Sequence, residues 1–231
     1  MTEVDVRRKI LADNASAAES LRESFRASST LVVNLISSPG SGKTTLLEAT
    51  VRALKGRLRL GAIDGDIATE RDADRLRRAG IPARQILTGG ACHLDARQIA
   101  SALESEGDRL AALDVLFIEN VGNLICPTAY DLGEDFKVAL LSVAEGDDKP
   151  FKYPGIFARA AITVVTKADL LPHVDFDIAA VCDQVASLNP SARFLVTSAR
   201  TGEGMDTWIA HLEEALARKR AEASVPAGAR V

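Results

Sequence analysis

Three groups of residues in this chain have the types and spacing to do chemistry. The first is Ser37-Ser38-Pro39-Gly40-Ser41-Gly42-Lys43-Thr44-Thr45. Glycines ahead of a lysine let the backbone turn sharply and aim its N–H groups at anionic oxygens. A helix starting at the lysine adds its positive N-terminal dipole. Pro39, Gly40, Ser41 and Gly42 would form the cradle, with Thr45 as a further nucleotide contact. Lys43 would reach the β- and γ-phosphates, and the Thr44 hydroxyl would ligate magnesium. The strict pattern G-x-x-x-x-G-K-[ST] has glycine where this chain has Ser37. That position closes the preceding strand, where a small residue can serve. The competing reading is a glycine-rich turn with a chance lysine, but strand, loop and helix all agree with a phosphate loop.

The second group selects a base. Thr166-Lys167-Ala168-Asp169 follows an apolar run. The Asp169 carboxylate only accepts hydrogen bonds, and guanine offers two adjacent donors. Adenine would leave the carboxylate unsatisfied, which discriminates strongly. The Lys167 stem can lie along the base. Ser198-Ala199-Arg200 comes later, where a backbone N–H can meet the guanine carbonyl. Thr166 stands where asparagine is commoner. Taken alone, Asp169 also reads as a cap before Leu170-Leu171-Pro172; the order of the motifs after the phosphate loop favours GTP. Between these segments, Asp64-Gly65-Asp66 and Glu119-Asn120-Val121-Gly122 close two strands. Asp66 and Glu119 are assigned to the magnesium shell. Gly122 would let the backbone approach the γ-phosphate, whose loss would release the loop. Asp72 is a candidate for positioning the attacking water, and equally a solvated helix charge.

The third group is Cys92-His93 and Cys126. Thiolate and imidazole suit zinc and nickel. Three ligands are one short of a closed tetrahedral site, and a two-fold dimer could bring two sets together. From spacing alone, ordinary buried thiols are as good a reading. Cys182 sits among apolar residues on a helix and reads as core.

Positioning these groups requires alternating strands and helices. Residues 1 to 26 are helical in pattern. Strands are predicted at Leu31–Ser37, Leu58–Ile63, Ala83–Leu87, Asp114–Glu119, Ala161–Thr166 and Arg193–Thr197. Helices are predicted at Lys43 to about Leu54, Thr69–Ala79, Asp95–Leu103, Asp175–Leu188 and Met205 to about Arg218. This is an α/β pattern: a three-layer fold with a mainly parallel sheet flanked by helices. Asp147-Asp148-Lys149-Pro150-Phe151-Lys152-Tyr153-Pro154 reads as a solvated surface loop. The expected division is a helical segment over 1–27, a nucleotide-binding domain over 28–219 and a flexible tail over 220–231.

Composition narrows the classes. The 231 residues are 47% apolar, enough for one core. A net charge of −4 and 4% aromatics argue against nucleic-acid binding. No apolar run reaches membrane-spanning length, and the charged N-terminus lacks the apolar stretch of a secretion signal. A cytoplasmic protein with reduced thiols is the expectation from three cysteines.

The order SSPGSGKTT, DGDIATERDADR, GGACHLDA, FIENVGNLICP, KPFKYPGIF, TKADLLP and SARTGEGMDTW resembles the HypB family, the hydrogenase nickel-incorporation GTPases. GGACHLDA and ENVGNLICP separate it from the related urease accessory GTPases. The resemblance spans nearly the whole chain. It implies a P-loop GTPase fold of the SIMIBI group, GTP-dependent dimerisation and nickel delivery to [NiFe]-hydrogenase precursors. It also implies an accessory partner, HypA. In that family the positions of Cys92, His93 and Cys126 form a metal site at the dimer interface, and the lysine matching Lys152 lies at the dimer contact, close to nucleotide in trans. Some members carry an N-terminal cysteine motif or a histidine-rich stretch. This sequence has no cysteine before Cys92 and three histidines, so no separate storage site is expected. Two other functions remain open: a GTPase for another metal centre, such as urease, or a metal-responsive binding module that GTP controls.

Overall fold

The computed structural model describes residues 3–67, 70–107, 110 and 112–224. The expected start of a helix at Thr69 and the end of the tail, 225–231, lie outside these residues. The elements run α1 (Glu3–Ala27), β1 (Leu31–Ser37), α2 (Lys43–Leu54), β2 (Leu60–Asp66), α3 (Arg71–Ala79), β3 (Ala83–Leu87), α4 (Ala96–Glu106) and β4 (Val115–Glu119). After a 3-10 turn over Cys126–Ala129 come β5 (Phe136–Ser142), α5 (Lys149–Lys152), α6 (Pro154–Arg159) and β6 (Ile162–Thr166). A 3-10 turn over Ala168–His173 leads to α7 (Ile178–Leu188), β7 (Arg193–Val196) and α8 (Met205–Ser224).

Among the described residues the strands form one sheet, in the order β3-β2-β4-β1-β5-β6-β7. Every pairing in it is parallel. β1 is buried along its whole length because both sheet faces are covered. Its Leu31, Val33 and Leu35 point to the layer of α2, α3 and α8. On the other face Val32 packs with α1 and α4, and Ile36 with α6 and α7. The period of two along β1 thus divides the core into two layers. Trp208 of α8 is fully buried and donates its indole N–H to Thr50 Oγ1 on α2 at 2.9 Å. Removing a side chain of this size costs ~3–5 kcal/mol.

Four expectations are corrected. β5 was not expected as a strand; its ladders to β1 and β6 complete the sheet. The strand expected over Leu58–Ile63 instead runs Leu60–Asp66, so its two aspartates belong to the ladder. The segment expected as a surface loop over 147–154 folds in part into α5 and the start of α6, with Pro150 and Pro154 in their first turns. The last helix continues to Ser224 rather than ending near Arg218. Lys219 pairs with Asp135 at 2.6 Å and Arg220 with Asp114 at 2.6 Å, tying its last turns to the loops that enter β5 and β4. Among the described residues, no helix is long and apolar enough to cross a membrane.

Candidate functional site

The site lies at the C-terminal ends of β1, β2 and β4. There the connections diverge to the two halves of the sheet, the usual place for a ligand in an open parallel sheet. Gly40 (φ 75°) and Gly42 (φ 97°) both take left-handed backbone. Gly42 precedes α2, and no side chain caps that helix. Its first N–H groups therefore remain available to an anion. Lys43 Nζ donates to Ser37 Oγ at 3.0 Å, and the Ser41 hydroxyl also bonds to Ser37 Oγ. Ser37 is thus more than a small substitute for glycine, because its hydroxyl is the hub that folds the lysine back over the loop.

A cavity of about 510 Å³ extends from this loop to the ends of β2 and β4. Thr44 Oγ1 donates to Glu119 Oε1 at 2.8 Å. Asp64 stands opposite Glu119 in the parallel ladder. Glu119 Oε2 and Asp64 Oδ2 are both buried without a hydrogen-bond partner. Burial, opposed by Lys43 and reinforced by repulsion from Asp64, pushes the Glu119 carboxyl up to about 8. Burial, with repulsion from Asp72, pushes Asp64 up to about 7. Two buried carboxylates with orphaned oxygens beside a threonine hydroxyl are an oxygen donor set that fits a divalent cation. Asp66, assigned to this shell from sequence, lies farther out on the cavity wall and is half-buried. Asp64 is the residue the sequence reading missed.

Asp72 also lines the cavity and pairs with Arg75 at 3.0 Å. Arg75 reaches Glu48 at 2.8 Å and Thr45 Oγ1 at 3.1 Å. It is a second cavity residue that sequence reasoning did not single out. Gly122 touches the phosphate loop directly. A Cβ there would fall 2.8 Å from Pro39 Cγ and 2.9 Å from its backbone nitrogen. The chain after β4 therefore rests on Pro39 with no room for a side chain.

A second, smaller cavity of about 250 Å³ is lined by Thr45, Thr166, Lys167, Asp169, Ala199 and Arg200, among others. Asp169 Oδ1 accepts from Ser198 Oγ at 2.7 Å, and Arg200 Nη1 lies 3.7 Å from Oδ2. Thr166 Oγ1 donates to the Ser41 carbonyl at 2.5 Å, and Lys167 Nζ to the Gly40 carbonyl at 2.7 Å. Lys167 itself has left-handed backbone, φ 60°, a strained geometry often found at ligand sites. The first motif predicted to read the base is therefore bonded to the loop predicted to hold the phosphates, and the second is bonded to Asp169 of the first. Lys152 is exposed on α5, paired with Asp148, and lies outside both cavities.

Cys92, His93 and Cys126 come together: their ligand atoms all lie within 4.8 Å of one another. Cys92 Sγ is 3.6 Å from His93 Nδ1. A hydrogen bond to the Cys126 sulfur, then burial, pushes the Cys92 thiol up. Burial pulls His93 down, opposed by Asp95, which favours the neutral imidazole a metal needs. The His93 ring lies on Tyr130, with centroids 3.8 Å apart. Asn120 joins this cluster to the nucleotide cavity. It follows Glu119, and its Oδ1 accepts from the Leu94 N–H at 3.2 Å. Leu94 in turn fills the space a Cβ on Gly65 would need, 2.8 Å away.

Comparison with known proteins agrees with this fold. A family model described as the CobW/HypB/UreG nucleotide-binding domain matches residues 30–196. Hydrogenase maturation factor HypB of Azotobacter chroococcum mcd 1 is 49% identical over 212 residues, covering 91% of this chain and 68% of that protein. The crystal structure of hydrogenase maturation factor HypB from Archaeoglobus fulgidus superposes with a TM-score of 0.83 at 41% identity, covering 89% of this chain and all (100%) of that one. HypB from Helicobacter pylori, crystallised in complex with nickel, gives 0.84 at 39% identity, covering 92% and 98%.

Proposed function

The chain belongs to the CobW/HypB/UreG family, among its HypB members, and from that premise we propose that it is a GTPase coupling hydrolysis of the β–γ phosphoanhydride to nickel handling in hydrogenase maturation. The observation that carries this reading is the approach of Cys92, His93 and Cys126 to within 4.8 Å, with Cys126 on the connection that begins at Glu119.

Each step has residues suited to it. Pro39 to Thr45 and Gly122 surround the phosphates, and Lys43 neutralises charge on the β- and γ-oxygens. Thr44, Glu119 and Asp64 would hold magnesium, with Asp66 in its outer shell. When bound, that ion spreads the charge developing on the phosphate oxygens. We assign Asp72 the water-orienting role, supported by its position on the cavity wall. Asp169 accepts from the guanine donors, Lys167 covers the base, and the backbone around Ser198, Ala199 and Arg200 meets its carbonyl.

Nickel is the cargo, held by two thiolates and an imidazole, with zinc as a competing occupant of the same soft donors. Asn120 gives the coupling a physical route. A change around Glu119 when the γ-phosphate leaves shifts a residue bonded to the loop of His93. A second copy of the chain would complete the coordination and bring Lys152 toward the nucleotide of its neighbour. Three exposed apolar side chains support that dimer. Ile67 (52% exposed), Ile125 (66%) and Phe151 (74%) each adjoin a site residue: Asp66, Cys126 and Lys152. HypA-like metallochaperones and the hydrogenase large-subunit precursor are the proposed partners, in the cytoplasm.

Nickel titration with GDP and with a non-hydrolysable GTP analogue, with molecular mass followed in parallel, tests the reading. Nucleotide-dependent mass and nickel affinity are expected, and Cys126→Ala should weaken binding in the GTP-bound dimer. Nickel affinity identical in both nucleotides and in the variant would defeat it.

A further inference from the structure

The three metal ligands come from two separate connections, one after β3 and one after β4, which touch through Asn120 and Tyr130; a third element ties them together beyond the ligands. Asn14 of α1 sits between them. It is 5% exposed, and both ends of its amide are used. Its Nδ2 donates to the Asp131 carbonyl at 2.8 Å, and its Oδ1 accepts from the Ala96 N–H at 2.9 Å. Ala96 opens α4 just after His93, and Asp131 follows the 3-10 turn that begins at Cys126.

The same helix grips the second connection elsewhere. Arg22 donates to both carboxylate oxygens of Asp131, at 2.7 and 2.6 Å. Gly133 lies so close to α1 that a Cβ on it would fall 2.8 Å from Leu21 Cβ and 2.9 Å from the Ala18 carbonyl.

Asn14 does not line the cavity of the phosphate loop or that of Asp169. Burying an amide on the helix that also buries Ala18 and Leu21 is unfavourable unless both its ends are satisfied. An apolar residue would pack α1 on the sheet at least as well. The amide is explained by what it joins: one connection through its donor, the other through its acceptor. We infer that Asn14 is a positioning residue for the metal site, holding the Cys92-His93 loop and the Cys126 loop at ligand distance before any metal arrives. Partners outside the coordination sphere commonly change metal affinity by about 10- to 100-fold.

This inference rests on the metal reading above, and one experiment separates the two. The full chain is titrated with Ni(II) in the presence of a non-hydrolysable GTP analogue while the thiolate-to-metal charge-transfer absorption is recorded. GDP affinity and thermal unfolding are measured alongside. The parent is expected to bind with a charge-transfer band. Asn14→Leu, near in volume but unable to bridge, is expected to lose about tenfold in Ni(II) affinity and to shift or weaken the band, with GDP affinity unchanged. Asn14→Asp keeps the acceptor toward Ala96 and loses the donor toward Asp131. It should fall between the two, and it keeps the test decisive if the leucine variant does not fold. Parental nickel affinity and band in a folded variant would overturn the positioning role and leave the metal site standing. A parent with no charge-transfer band would overturn both.

Discussion

Replacing Glu119 by glutamine keeps the shape of the side chain and removes its charge, which turns the buried carboxylate pair into a measurable quantity. In the metal-free protein, burial moves this carboxyl from 4.5 to about 8. A carboxyl whose folded value lies above its unfolded one weakens the fold as pH rises. The unfolded chain ionises first, near 4.5, while the folded chain resists until about 8. At about 1.4 kcal/mol per pH unit between the two values, the interval amounts to ~3–5 kcal/mol. The lower figure allows for Asp64 sharing the same repulsion. Metal-free Glu119→Gln is therefore expected to be more stable than the parent by ~3–5 kcal/mol at about pH 8.5. The advantage should shrink to under about 1 kcal/mol near pH 5. Magnesium with a non-hydrolysable GTP analogue should reverse the order, because the parent offers the cation a charged pair and the variant a single carboxylate. Urea denaturation in chelator at the two pH values, repeated with magnesium nucleotide, measures all of this. A stability difference that does not change with pH would refute the buried-charge argument. An equal gain from magnesium nucleotide in both proteins would remove Glu119 from the cation site.

Lys43→Ala should lower nucleotide affinity by at least about 100-fold, since it removes a charge-assisted contact from the phosphates; unchanged affinity for a fluorescent GTP analogue would exclude the phosphate-loop role. Asp169→Asn should weaken GTP about 100- to 1,000-fold and improve binding of xanthosine triphosphate, read by competition. No gain for the xanthine nucleotide would count against Asp169 as the base reader. Gly122→Ala should cost ~1–3 kcal/mol in chemical denaturation and weaken GTP binding, because the new methyl meets Pro39 backbone at 2.9 Å. Gly122 is not among the left-handed glycines, so parental stability and affinity in that variant would mean the contact relaxes freely.

Local motifs were the most legible part of this molecule. Gly40, Gly42 and Lys43 carry their geometry in consecutive residues, and the structure bonds Thr166 and Lys167 to that loop. Features that depend on distant partners were not legible. Phe136–Ser142 reads FKVALLS, a short run whose alanine and leucines suit helix as well as strand. Only its ladders to Val33–Ser37 and Ile162–Thr166 decide the matter. Asp64 falls just past the strand predicted over Leu58–Ile63, and its place opposite Glu119 comes from strand register, which no local pattern encodes. The extra turns of α8 have polar sequence and were read as tail. Ion pairs from Lys219 and Arg220 to residues far back in the chain hold them. Asn14 is one of many polar residues on α1, and its two partners lie on segments that meet only in the folded state.

The strand order carries a consequence for how the protein is made. β1, which delivers the phosphate loop, pairs only with β4 and β5, in registers that join Leu31 to Val115 and Val33 to Phe136. A nascent chain leaving the ribosome therefore exposes an apolar strand with both edges bare while the next three helices and two strands are still being synthesised. Parallel neighbours cannot form by a local hairpin, and pairings this distant along the chain fold slowly and leave sticky edges in the interval. The nucleotide pocket is encoded early and closed late. Until β4 and β5 are made, the strand that carries the phosphate loop has unpaired edges.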